Sequence, residues 1–196
     1  MKKTVKFICD LIGREREHMS SLREKEAEAL VSSTPKGVLL TCPYPLRFFS
    51  GLEDIYIISS YGGVLGGNEA SLDHAVNTLS VPVVLFMGHE DCSALKKAIK
   101  GEGSTVPEQQ LFQNILPAFA QGKARKYRDN VMKHLDHQIS LALDRYRFRV
   151  KEDKLVVAGL YCDAKGKISL TNYNGLRGVE SLSQALPDVD PDNFLE

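Results

Sequence analysis

The segment Val81-Pro82-Val83-Val84-Leu85-Phe86-Met87-Gly88 is almost entirely apolar, and His89-Glu90-Asp91-Cys92 follows it at once. A run of this length without polar alternation suits a strand covered on both faces by helices, as in a parallel sheet. A second run, Gly37-Val38-Leu39-Leu40-Thr41, leads into Cys42 in the same way. In open parallel sheets, ligands bind in the crevice outside the carboxyl ends of the strands. Two thiols and one imidazole delivered to that edge make a nitrogen-and-sulfur donor set of the kind Zn²⁺ prefers. Three protein ligands leave one tetrahedral position. It is either open, as in a catalytic site, or closed by a fourth residue, as in a structural one.

The rest of the chain fits strands alternating with helices. Ile55-Tyr56-Ile57-Ile58-Ser59 reads as a strand, and Leu155-Val156-Val157-Ala158-Gly159-Leu160-Tyr161 as another. Between them lie a helix carrying Leu72, Ala75, Val76 and Leu79 on one face, a helix after Asp91 with Ala94, Leu95, Ala98 and Ile99 inward, and two or more helices over 108–145. Asn68 or Ser71 is positioned to cap the first of these. Asp163-Ala164-Lys165-Gly166-Lys167 reads as a hairpin turn, after which Ile168 to Thr171 returns antiparallel. The expected fold class is α/β, with a mostly parallel central sheet, flanking helices and an antiparallel C-terminal edge hairpin. Three parts are expected: an N-terminal helical arm over 1–35, a zinc domain over 36–186 and a loosely held tail over 187–196.

The 25 basic and 25 acidic side chains cancel, which argues against nucleic acid and anionic membrane surfaces as partners. The basic stretch Lys123 to Arg128 reads as a solvated helix face. No run reaches the roughly 18 apolar residues of a membrane span. The short apolar N-terminus is interrupted by Lys6 and Asp10, unlike a secretory signal. A cytoplasmic protein is expected, with Cys9 and Cys162 as small buried residues rather than disulfide partners. His134 and His137 stand three apart on a helix and read as surface or interface residues. The glycines at 62, 63, 66 and 67 match no phosphate-binding signature.

Gly88-His89-Glu90-Asp91-Cys92-Ser93-Ala94 resembles the Gly-His-x-x-Cys-Gly-Ala corner of the β-class carbonic anhydrases. The helix from Ser71 to Val81 and the hairpin from Val157 to Asp163, followed by Gly166 and Ile168, are similar to that family's elements, so the resemblance covers roughly 36–175. It implies Zn²⁺ held by Cys42, His89 and Cys92. The implied activity is reversible hydration of CO₂, or hydrolysis of a related small molecule such as COS or CS₂, by zinc hydroxide. It also implies a homodimer or higher even homo-oligomer, with the N-terminal helices clasping the partner. Gly62 is the residue retained from the family's Arg-Asn-Ala-Gly-Asn stretch, and Asp91 is expected to cap the next helix and to accept a hydrogen bond from the imidazole or another neighbour.

The sequence departs from the family at the first ligand. The family motif is Cys-x-Asp-x-Arg, whose aspartate, held by the arginine, hydrogen-bonds to the zinc-bound water. Here Tyr44 stands at the aspartate's position and Leu46 at the arginine's, with Arg47 displaced by one residue. A phenol can donate as well as accept a hydrogen bond, or as phenolate close the fourth position. The expectation is therefore a zinc lyase of carbonate dehydratase type with Tyr44 in the gate position and Arg47 nearby. The alternative is a catalytically impaired relative with structural zinc and a binding or regulatory role. A thiol enzyme using Cys42 or Cys92 as nucleophile is a third reading.

Overall fold

Apolar runs without alternation become the inner strands of one sheet. The computed structural model describes residues 34–48 and 54–195, with the backbone alone at 47 and 48. The strands are β1 (Gly37–Thr41), β2 (Ile55–Ser59), β3 (Val83–His89), β4 (Val156–Cys162), β5 (Ile168–Tyr173) and β6 (Leu176–Arg177). They lie in the order β2-β1-β3-β4-β5-β6. The first four are mutually parallel, while β5 and β6 run antiparallel. This is the α/β class expected, with strand ends shifted by no more than two residues. β6 is too short to have a pattern of its own.

Helices make the parallel crossovers. Between β2 and β3 runs α1 (Glu69–Asp73), which continues as a wider π turn over His74–Thr78. Leu72, Ala75 and Val76 are fully buried on its inner face. Asn68 precedes it without capping it, and its side-chain amide donates instead to the Val64 carbonyl. After β3 come α2 (Ser93–Lys100), α3 (Val106–Ile115), α4 (Tyr127–Arg145) and α5 (Arg147–Lys151). α2 stops at Gly101, whose φ of 73° closes the helix at little conformational cost. α6 (Val179–Ala185) follows β6. Among the described helices none is long and apolar enough to cross a membrane.

The core sits where α1 and α4 cover one face of the sheet. Val38, Leu40, Ile58, Val84, Phe86 and Val157 meet Leu72, Val76, Leu135 and Ile139 there. Each such buried side chain contributes about 1.5–3 kcal/mol. A second cluster joins α2 and α3 to the carboxyl end of the sheet and includes Cys42 and Cys92. Gly88 is required at that end, because a Cβ there would lie 2.7 Å from a methyl of Val131.

Three expectations change. Lys123 to Lys126 lie in the loop before α4, so of the basic stretch only Arg128 stands on a helix. The C-terminal tail is held: Phe194 is buried, bridges to Leu170, and the Leu195 N–H donates to the Leu170 carbonyl. Of the helical arm expected over 1–35, residues 1–33, with Cys9, lie outside the described residues.

Candidate metal centre

β1 and β3 are neighbours, with Thr41 paired to Met87. Cys42, the next residue, therefore lies level with the Gly88–His89 end of β3. The chain then turns sharply through Asp91, at φ 64°, and enters α2 with Cys92 at its N-terminus. The corner folds His89 and Cys92 back onto Cys42. One ligand atom from each of the three lies within 4.8 Å of the others, and all three residues are buried. No disulfide joins the described cysteines.

The imidazole is prepared for a cation. Nδ1 of His89 lies 2.7 Å from the Glu90 carbonyl oxygen. A carbonyl only accepts, so Nδ1 carries a proton, and the tautomer this selects for the imidazole has its lone pair on Nε2. That Nε2 is buried and has no hydrogen-bond partner. A buried acceptor left in this state costs on the order of 1–3 kcal/mol. A metal ion held with the two sulfurs would satisfy it.

The sulfurs are unequal. Cys42 is held well below the ordinary thiol range, chiefly by a hydrogen bond from the Cys92 thiol, with the backbone N–H groups of Gly62 and Tyr44 adding to it against the opposing effect of burial. Cys92 moves the other way, because its proton is shared with Cys42 and because it is buried. The N–H groups of Leu95 and Ala94 face its sulfur and partly offset this, although neither closes a capping hydrogen bond. The pair thus keeps one proton between two sulfurs, and a thiolate is available beside the Nε2 lone pair. Burial, soft donors and an orphaned nitrogen fit Zn²⁺ or a similar ion.

The other expected residues separate into two groups. Tyr44 stacks on His89, ring centroids 5.3 Å apart and planes 18° apart, and is 48% exposed. Gly62, at φ 85°, sits where a Cβ would lie 3.2 Å from both Ala94 and Ile115, and its N–H faces Cys42. Asp91 belongs elsewhere: its exposed carboxylate pairs with Lys96, it caps nothing, and the imidazole proton goes to the Glu90 carbonyl. At φ 64° Asp91 turns the corner, and Cys92 stands at the cap position of α2 in its place. The side chain of Arg47 lies outside the described residues; its backbone is in the 3-10 turn Tyr44–Phe48. A cavity of about 530 Å³ beside the corner touches Glu90 and Tyr161, whose hydroxyl donates to the Glu90 carboxylate, but none of the three ligands.

Two buried residues of α4 complete the surroundings. His134 Nε2 donates to the Gly62 carbonyl at 2.9 Å, and Gln138 Oε1 accepts from the Leu65 N–H at 2.8 Å. His134 is 5% exposed, which corrects its reading as a surface residue. The signal for both was the buried stripe Val131, His134, Leu135, Gln138, Ile139 and Ala142, spaced as one helix face.

A family model described as carbonic anhydrase matches residues 43–166. The match contains His89 and Cys92 and begins one residue after Cys42, whose place rests on the geometry. A carbonic anhydrase of Mycolicibacterium smegmatis is 24% identical over 116 residues, covering 54% of this chain and 56% of that protein, so that alignment spans little more than half of the relative. Carbonic anhydrase 2 of Mycobacterium tuberculosis is 26% identical over 181 residues, 84% of this chain and 87% of the relative. Among solved structures, one described with two tetrameric β-carbonic anhydrases from Sordaria macrospora superposes with TM-score 0.72 at 13% identity, covering 86% of this chain and 96% of that one. A Coccomyxa β-carbonic anhydrase in complex with acetazolamide gives 0.62 at 12% identity, covering 93% and 89%. At such identities the structural likeness establishes the fold.

Proposed function

We infer, for a chain that belongs to the β-carbonic anhydrase family, that Cys42, His89 and Cys92 hold Zn²⁺ and that the centre serves reversible hydration of CO₂. The observation that carries this reading is the His89 imidazole, with its tautomer fixed by the Glu90 carbonyl and its bare Nε2 beside two buried sulfurs. Zinc, when bound, lowers the pKa of water towards neutrality and so supplies a nucleophile for the carbon of CO₂.

The chain's own residues supply the rest. Cys42 and Cys92 contribute thiolates, and His89 contributes Nε2, with Nδ1 engaged by the Glu90 carbonyl. Tyr44 takes the position of the family's aspartate. Its ring stacks on His89 and is half-exposed, which supports a role on the solvent side of the candidate ligands. As a phenol it can accept a hydrogen bond at the open coordination position or donate one there. It lacks the fixed negative charge of a carboxylate, so a slower enzyme than the family norm is expected. We further propose an even-numbered homo-oligomer, as in the tetrameric Sordaria enzymes, and a cytoplasmic setting in which the thiols stay reduced.

Stopped-flow CO₂ hydration on zinc-replete protein tests the reading. A rate at least about tenfold above that of aqueous zinc is expected, rising again in the double variant Tyr44→Asp, Leu46→Arg. Full zinc occupancy with a rate no better than the free ion would remove the enzyme reading and leave a structural zinc.

A further inference from the structure

His134 has no evident reason to be in the core. It is buried, its Nδ1 has no partner, and it contacts none of the three ligands by hydrogen bond. A leucine in its place would avoid the cost of a stranded polar atom, on the order of 1–3 kcal/mol. What His134 does have is a 2.9 Å hydrogen bond to the carbonyl of Gly62, 72 residues away. We propose that His134 is a positioning residue for the metal centre, which it acts on through the Gly62–Gly63 turn. This rests on the metal-site reading given above.

The turn is built against Cys42. Gly62 and Gly63 both have positive φ, 85° and 61°. Gly63 lies so close to the first ligand that a Cβ on it would be 3.3 Å from the Cys42 nitrogen. Gly62 is wedged between Ala94 of α2 and Ile115 of α3. The turn begins where the Ser60 N–H donates to the Thr41 carbonyl, so it is tied to the end of β1 as well. The turn closes on itself where the Gly63 N–H donates to the Ser60 carbonyl, but two adjacent glycines keep large backbone freedom around that one bond.

α4 restrains it at two points. His134 holds the Gly62 carbonyl, and one helical turn later Gln138 accepts from the Leu65 N–H. Gln138 is itself fixed, donating through Nε2 to the Asn114 carbonyl at 3.1 Å. The Gly62 carbonyl held towards α4 and the Gly62 N–H facing the Cys42 sulfur belong to successive planar peptide units, so fixing the first limits the φ and ψ of Gly62 through which the second is aimed. An N–H aimed at a thiolate stabilises its charge and restricts its direction, as outer-shell donors do in other metal sites.

The test uses the full chain with His134→Ala, His134→Gln and Ile139→Ala. Ile139 shares the buried face of α4 but packs against Gly159, away from the turn. Zinc affinity is measured by competition with a chromophoric chelator, and the thiolate-to-cobalt charge-transfer band is recorded on the cobalt form. His134→Ala is expected to bind zinc about tenfold more weakly with an altered band. His134→Gln, which keeps an N–H donor, is expected to retain most of both, and Ile139→Ala to leave both unmoved. Wild-type affinity and band in His134→Ala, or an equal loss in Ile139→Ala, would overturn the proposal. If the wild-type chain takes up no zinc, the metal reading falls by itself. Amide exchange over 62–65 in the metal-free chain then decides the clamp: faster in His134→Ala than in Ile139→Ala sustains it, and equal rates end it.

Discussion

Two loops leave the carboxyl ends of parallel strands beside the candidate centre, and they are built differently. The corner after β3 carries two candidate ligands whose aim its own residues set: the Glu90 carbonyl orients His89, Asp91 takes the left-handed turn, and Cys92 opens α2, with the Glu90 N–H tied to the Cys162 carbonyl and the Cys92 carbonyl to the Tyr127 hydroxyl. The loop after β2 carries no ligand. It is shaped from a distance by His134 and Gln138, which lie more than 70 residues further along the chain. Chemistry placed by local backbone geometry tolerates change elsewhere, whereas chemistry placed by a distant helix depends on that helix staying where it is.

The largest expected effect breaks the local corner. Cys92→Ser replaces a soft sulfur with a poor zinc ligand and should weaken zinc binding by more than about a hundredfold, beyond the 10–100-fold typical of outer-shell changes. Elemental analysis after dialysis against a mild chelator checks it, and zinc retained near one per chain would show that the corner is not the metal site. Next comes a pH effect on the distant restraint. Burial pushes His134 down to about 4 from an ordinary value of 6.5, so the folded chain keeps it neutral where the unfolded chain protonates it. Stability therefore falls as pH drops from about 6.5 towards 4, by on the order of 3 kcal/mol, and the loss from this group is complete below that window. Urea unfolding at pH 7 and 4.5 should show a decline that is smaller by that amount in His134→Gln. An identical decline in both proteins would mean that His134 is not the residue responsible. The smallest effect is at the surface of the corner: Lys96→Ala removes an exposed pair with Asp91 and should change stability by no more than about 0.5 kcal/mol, with zinc affinity unaltered. A substantial drop in affinity there would show that the corner is less self-sufficient than its backbone suggests.

The same contrast explains what could be read from the sequence. Val83 to Gly88 and Val38 to Leu40 announce inner strands because burial on both faces leaves no room for polar alternation. His89 and Cys92 announce a corner because they sit just past such a strand. The fold and the ligand cluster were legible for that reason. Asp91 was misread because a capping role and a left-handed turn use the same residue types. His134 was misread because His137 three residues on suggested a surface pair, and the apolar stripe on either side of His134 outweighs that pairing. The partner of His134 could not have been read at all, since a hydrogen bond to a carbonyl in a remote loop leaves no periodicity and no motif. Phe194 escaped for a similar reason: one aromatic residue in an acidic, proline-containing tail gives no pattern, yet it fills a place against β5.

The fixed tautomer of His89 bears on electroneutrality. Since the ring contributes a lone pair and no charge, the donor set with both sulfurs ionised carries two negative charges, which cancel those of a divalent cation. A dication bound there would be buried without net charge, avoiding the steep Born penalty that an uncompensated ion meets in a protein interior. A neutral fourth ligand would preserve that balance, while an anionic one such as a tyrosine phenolate would tip the cluster to minus one.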